Sequence, residues 1–347
     1  MNDALWVERA RASAVAVRNA PPGVHVAMLP PHASLRRYAR VEIEGRSEIV
    51  MMMPPRDAAP DEAGGVVAAS LRDDPFVVVQ RWLHEIGVRV PSLYAVDEAG
   101  DALWLEDVGT VDLDAAVAAE PASTLHLYRA ALRALSGFQD AAKNPPALVA
   151  QRHFDAALLR WEVDHYLEWR VDAWLPVQPS SASREALRKE LYALADAIAV
   201  MPTGPMHRDF QSHNLMVPHD DEIVVLDFQD AMVGPLVYDA VALLRDSYVD
   251  LPPAVLRTLV AEYADATARA TGCAAADVER WFHMQTVQRK LKDAARFVFI
   301  DRVKGNASFL KYIDTSVRYV GAALHALGDE WTALRACLAE VDPQATR

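Results

Sequence analysis

Residues 207–230 read HRDFQSHNLMVPHDDEIVVLDFQD. Asp209 is followed five positions on by Asn214, and Asp227 opens a second acidic motif thirteen residues after that Asn. Between them, two apolar runs (Leu215–Val217 and Ile223–Leu226) flank Asp220-Asp221, a turn signal, so the segment predicts a hairpin. Such a hairpin starts at Asn214 and ends at Asp227, bringing both to the same end. One carboxylate to take a hydroxyl proton, with an amide oxygen and a second carboxylate for a hard cation, is the minimum set for phosphoryl transfer. That chemistry asks the protein for little covalent help. It asks for an in-line acceptor and for positive charge against the phosphate oxygens. A surface hairpin with acidic ends is the plain alternative, but it does not require this coincidence of spacings.

The spacing is that of a protein-kinase catalytic loop and metal loop, and the rest of the chain is ordered to suit. Residues 3–19 place Trp6, Ala10, Ala14 and Val17 at helical spacing. Strand patterns follow at Val24–Leu29, Tyr38–Ile43 and Glu48–Met53, then a Pro/Gly/acid-rich loop at Asp57–Gly65. Asp73-Asp74-Pro75 opens a helix over Phe76–Ile86. Leu93–Val96 and Ala102–Leu105 read as a hairpin. Beyond residue 110, helical periodicity dominates: Ala122–Ala142, Asp155–Trp174, Ser183–Met201, Leu236–Asp246, Ala254–Ala270, Ala275–Ile300 and Phe309–Leu327. These elements predict an α+β, bilobal protein-kinase-like fold. A small β-rich N-lobe occupies 1–105, a hinge 106–110, and a larger, mainly helical C-lobe 111–347. A nucleotide is expected between lobes, with hinge main-chain groups at its base.

Composition narrows the function classes. The 347 residues, 52% hydrophobic, suffice for two cores. A net charge of −13 opposes a nucleic-acid partner, which needs a basic face. No run of eighteen apolar residues suggests a membrane span. The start, MNDALWVERARAS, lacks the apolar core of a signal peptide, so a cytoplasmic protein is expected. Cys273 and Cys337, far apart, read as two reduced thiols.

Four stretches carry a closer resemblance. They are Ala33-Ser34-Leu35-Arg36-Arg37-Tyr38; Leu105-Glu106-Asp107-Val108-Gly109; the 207–230 block continuing through Gly234-Pro235, Tyr238-Asp239 and Leu243–Tyr248; and Gln288–Lys292 with Lys311-Tyr312. With them, the chain resembles the aminoglycoside-phosphotransferase-like branch of the kinase fold. Within it, the chain is similar to bacterial N-acetylmuramate/N-acetylglucosamine anomeric kinases of peptidoglycan recycling.

The resemblance implies ATP and Mg2+ as cofactors and a small amino sugar as acceptor. It makes Asp209 the catalytic carboxylate and Asn214 and Asp227 the metal ligands. It places Ser34, Arg36 and Arg37 over the ATP phosphates and Glu106, Asp107 and Val108 at the adenine. Arg245, Asp246 and the Asp155–Trp174 helix, with Glu162, become candidate sugar walls, and Gln211 a candidate contact beside the metal. The chain departs from most kinases at Ile49–Met53, where the third strand carries no lysine, and it has no Gly-rich loop.

Other readings stay open on the residues alone. The fold also serves aminoglycoside, choline and homoserine kinases. The missing lysine allows an inactive nucleotide-binding scaffold. His207 reads as structural, packed under the loop. The basic stretch Arg289–Lys304 reads first as a solvated helix face, with a contact to the acceptor's carboxylate as the functional option. Trp161, Trp169 and Trp174 read as core residues before they read as a sugar-stacking platform.

Overall fold

The computed structural model describes residues 3–30, 36–54, 70–140, 144–218 and 222–346. Contacts divide the chain into two units, Met1–Val111 with Met216–Asp230, and Asp112–Leu215 with Ala231–Arg347. The segment that carries Asp227 thus groups with the first unit, although Asp209 and Asn214 belong to the second.

The first unit is a five-stranded sheet with two helices. Helix α1 (Asp3–Arg18) precedes strands β1 (Val26–Met28), β2 (Arg37–Ile43) and β3 (Arg46–Met52). Helix α2 (Pro75–Glu85) follows, then β4 (Leu93–Asp97) and β5 (Ala102–Glu106). The antiparallel order is β1-β2-β3-β5-β4. Alternation along β2 turns Ala39, Val41 and Ile43 inward, where Trp6, Ala10 and Ala14 of α1 meet them. Trp104 of β5 is fully buried in this layer and donates its indole N–H to Ser13 Oγ at 2.9 Å. The predicted loop at Asp57–Gly65 lies outside the described residues.

The second unit is mainly helical. It contains α3 (Leu113–Ala119), α4 (Thr124–Asp140), α5 (Ala147–Ala150), α6 (Ala156–Tyr166), α7 (Ser181–Ala199) and strand β6 (Thr203–Met206). Strands β7 (Leu215–Met216) and β8 (Val224–Val225), which from Met216 on group with the first unit, form the expected hairpin. Strand β9 (Met232–Pro235) then pairs antiparallel with β6. Helices α8 (Val237–Leu244), α9 (Pro253–Thr271), α10 (Ala275–Lys304), α11 (Ile313–Ala326) and α12 (Thr332–Val341) complete it. Of these, α3, α5, β6, β9 and α12 had no counterpart in the sequence pattern. Helix α6 continues into a π-helical turn, Leu167–Asp172, whose Arg170 is buried and bonds Asp342 at 2.8 and 3.0 Å.

The centre of this unit is α10, packed by α6, α8, α9 and α11. That burial corrects one expectation. Arg289 and Lys290 of the basic stretch are not on a solvated face but in the core. A second correction concerns the tryptophans. Trp161 is 58% exposed and stacks on His165, with ring centroids 5.4 Å apart, rather than packing in the interior.

Candidate active site

In the second unit, β6 and β9 set the base of the catalytic loop. Gly234 of β9 faces Met206 and Phe154 so closely that any Cβ would collide with Phe154 Cβ at 2.9 Å. Immediately beyond β6 the chain makes its tight turn. Arg208 takes a left-handed backbone, φ +78°, which costs a non-glycine residue about 1 kcal/mol or more. Asp239 of α8 holds that turn. Its carboxylate accepts the His207 N–H at 2.6 Å and the Arg208 N–H at 3.0 Å. Burial pushes the Asp239 carboxyl above its ordinary range, while His207 and the two N–H donors pull the other way. His207 itself is wholly buried between the rings of Phe138 and Phe210. It plays the structural part read from the sequence.

Asp209 emerges from this turn with its side chain 49% exposed. Its main-chain carbonyl accepts the Gln211 N–H at 2.8 Å and the Asn214 side-chain N–H at 2.8 Å. The second contact orients Asn214. With Nδ2 committed to the loop, the amide oxygen Oδ1 is the end left for a cation. A single 3-10 turn, Ser212–Asn214, carries this residue. That turn is braced by Asp246, which accepts Ser212 N–H at 2.9 Å and Ser212 O–H at 2.7 Å through one oxygen. Its other oxygen accepts the Tyr248 N–H at 3.0 Å. His213 bonds Asp112, the N-cap of α3, at 2.8 Å. That bond raises the imidazole's pKa, against the effect of its partial burial.

The other acceptor candidates in this unit divide. Asp246 is buried, with one oxygen engaged by Ser212 of the loop and the other by the Tyr248 N–H, so it braces the turn that carries Asn214. Arg245 is also buried, its guanidinium 5.0 Å over the Tyr319 ring, and burial lowers its pKa. Glu162 is buried on α6 and accepts from Gln288 of α10 at 2.6 Å. Gln211, half-buried, follows Asp209 in the loop. Arg289 of α10, read from sequence only within a basic stretch, lies against this turn. Its Nη2 lies 3.7 Å from Asp209 Oδ1, and its Nη1 donates to the Arg208 carbonyl at 3.0 Å.

In the first unit, Asp227 is exposed and left-handed, φ +60°, with Gln229 Nε2 donating to Oδ1 at 2.8 Å. Phe228 is buried against Phe76 of α2, ring centroids 4.9 Å apart, which anchors the motif. Asp227 acts electrostatically on Tyr38, whose phenol is pushed up chiefly by burial. Near the same tyrosine, Arg36 approaches Asp74, the N-cap of α2, at 3.6 Å. Arg37 instead reaches Asp3 of α1 at 2.7 Å. Ser34 lies outside the described residues.

The side chains of Glu106 and Asp107 are committed to ion pairs. Glu106 accepts from Arg89 at 2.7 Å and from the Ser92 N–H at 3.0 Å, and its bonds to Arg89 hold its carboxyl below the usual range. Asp107 is bound by Arg40 at 2.5 and 2.9 Å, by Ser47 and by the Gly109 N–H. Glu106, Asp107 and the half-buried Val108 therefore have main-chain groups, not side chains, to offer a nucleotide base.

Asn214 in the second unit offers an amide oxygen and Asp227 in the first an exposed carboxylate, each a donor of the type that hard divalent cations take. A carboxylate beside an acceptor hydroxyl, with oxygen donors for such a cation, is equipment for phosphoryl transfer.

The wider likenesses agree with this equipment. Residues 27–273 match the model of the phosphotransferase enzyme family. An N-acetylmuramate/N-acetylglucosamine kinase of Pseudomonas putida is 30% identical over 298 residues, covering 84% of this chain and 81% of that protein. Among solved structures, a choline kinase from Streptococcus pneumoniae superposes with a TM-score of 0.60 at 14% identity, over 93% of this chain and 100% of that one. An ADP-bound aminoglycoside phosphotransferase gives 0.59 at 11% identity, over 90% and 97%. These two show the fold, α+β and kinase-like. With the family model spanning most of the sequence and the relative aligned over four-fifths of both chains, this chain belongs to the phosphotransferase enzyme family.

Proposed function

We propose that this protein is an ATP-dependent kinase that phosphorylates the anomeric C1 hydroxyl of N-acetylmuramate and N-acetylglucosamine. The observation that carries the reading is Asp209. It is a half-exposed carboxylate on a turn whose backbone is fastened at each step, in a chain that aligns along most of its length with a kinase of those two sugars. The sugar C1–OH attacks the γ-phosphorus as the bond to ADP breaks, and the hydroxyl proton passes to Asp209. An anomeric hydroxyl is more acidic than an ordinary alcohol, so one carboxylate is an adequate acceptor. Asn214 and Asp227 are the residues to hold Mg2+, which when bound neutralises charge on the phosphate oxygens. Arg36 is the candidate phosphate contact in place of the absent strand lysine, and the main chain of Glu106–Val108 is the candidate adenine contact. The expected setting is the cytoplasm. Among the described residues, no helix is long and apolar enough to cross a membrane.

The test incubates the protein with ATP, Mg2+ and, separately, N-acetylmuramate, N-acetylglucosamine, glucose, choline or kanamycin, with phosphorus NMR as the readout. A phosphate doublet coupled to an anomeric proton, seen only with the two amino sugars, is expected. Turnover of choline or kanamycin instead refutes the acceptor. In the same assay Asp209→Asn is expected to lose roughly 100- to 10,000-fold in rate, and EDTA to abolish turnover until Mg2+ is returned.

A further inference from the structure

Arg289 has a place in the second unit that its structural surroundings do not require. It lies in the middle of α10 with its side chain 1% exposed. Burying a guanidinium is costly unless its charge and N–H groups are matched. Arg170, also fully buried in this unit, makes two hydrogen bonds to the Asp342 carboxylate and one to Gln344, although its Nη1 has no partner among the described residues. Arg289 makes no hydrogen bond to a carboxylate among the described residues. Its Nε has no hydrogen-bond partner among the described residues and stands 3.9 Å from Asp293. Asp293 has closer partners in Lys290 at 2.7 Å and Lys292 at 3.0 Å. Among the described residues, Arg289 hydrogen-bonds the Arg208 carbonyl at 3.0 Å. Its remaining edge faces Asp209 Oδ1 at 3.7 Å, and its plane rests on the Tyr238 ring at 4.6 Å.

The position of that bond matters. Asp239 pins the peptide groups that enter His207 and Arg208 through their N–H groups. Gln211 and Asn214 pin the carbonyl of Asp209. The group between them, the peptide joining Arg208 to Asp209, is held at its carbonyl by Arg289 and at its N–H by His207 Nδ1 at 3.3 Å. It is also the peptide that leaves the left-handed Arg208, so its tilt sets the direction of the Asp209 side chain.

We infer that Arg289 is a positioning residue of the phosphoryl transfer, orienting Asp209 by fixing the Arg208–Asp209 peptide and by facing its carboxylate. The inference rests on Asp209 being the proton acceptor proposed above.

The test compares Arg289→Lys, Arg289→Met and Arg289→Ala with the wild type, on whichever acceptor the wild type turns over. If it turns over none, which tells against the proposed function itself, hydrolysis of ATP to ADP is the readout. Misaiming a catalytic group by about an ångström costs on the order of 100-fold, so kcat of the Met variant is expected to fall roughly 10- to 100-fold. Affinity for ADP and KM for ATP are expected to change less than about twofold, because Arg289 acts through Asp209 alone. The Lys variant, which keeps charge but not the fork, is expected to fall between. Added guanidinium is expected to restore part of the Ala variant's kcat. Folding of each variant is followed by thermal melting. Folded variants that keep kcat within about threefold of wild type overturn the inference. So does a loss that only follows the unfolded fraction, with no rescue by guanidinium.

Discussion

Asp239 Oδ2 accepts the main-chain N–H of His207 at 2.6 Å, although 32 residues separate the two in sequence. The bond joins α8 to the first residue of the catalytic loop, and the second oxygen of Asp239 continues it to Arg208. A buried carboxylate serving two N–H groups is among the stronger hydrogen-bonded arrangements a protein makes. Asp239→Asn replaces one acceptor with an NH2 that faces a donor. The loss is expected at about 1–3 kcal/mol of stability, read by urea denaturation, with kcat falling more than KM for ATP. A folded Asn variant at wild-type kcat contradicts this account of the loop.

Asp293 sits between Lys290 and Lys292, and together these cations hold its carboxyl far below the usual range despite its burial. Asp293→Asn leaves both ammonium groups buried without their counter-charge. It is expected to cost about 3–5 kcal/mol, and Lys290→Met in the same chain to recover part of it. A lowered folded-state pKa means that the stability from Asp293 is present above its ordinary value of 3.8 and is lost as pH falls below it. Chemical denaturation between pH 3 and 6 is therefore expected to show a steeper acid loss in the wild type than in the double variant.

His213 responds in the opposite direction. Its bond to Asp112 raises its pKa, so the stability of that contact is complete below the ordinary 6.5 and is lost as pH rises through the higher folded value. The NMR titration of its ring protons is expected to have a midpoint above 6.5. In Asp112→Asn, which keeps an N-cap for α3, the midpoint is expected to return toward 6.5. Amide exchange in Ser212–Asn214 is expected to rise with pH more in the wild type than in that variant, after correction for intrinsic rates.

Gly234→Ala places a methyl against Met206 and Phe154. Overpacking of this kind costs about 1–3 kcal/mol. Because Met206 leads directly into His207, kcat is expected to drop together with the melting temperature. A variant that melts lower while keeping full kcat shows that β6 can shift without moving the loop.

The chain announced its chemistry in one short block. Asp209, Asn214 and Asp227 are legible because loop chemistry depends on residue type at short spacing, and that is linear information. The long helices were legible for a similar reason, since a 3.6-residue period repeats within each. Strands β6 and β9 were not. Thr203-Gly-Pro-Met carries the two residues least favoured in strands and forms one only because β9 pairs with it. Helices α3, α5 and α12 are short, so their periods had too few turns to stand out.

The partners of the loop were beyond sequence altogether. Arg289 lies 81 residues from the carbonyl it holds, in a run that reads as a charged surface. Asp246 reads from sequence as a candidate sugar wall, and its contact with Ser212 from within the core was not legible there. Periodicity says which residues share a face of a helix; it does not say what that face meets. The sequence by itself therefore determined the class of fold and named the candidate reacting groups. Tertiary structure alone decided which buried charges aim Asp209, because that depends on how α8 and α10 pack and not on any spacing along the chain.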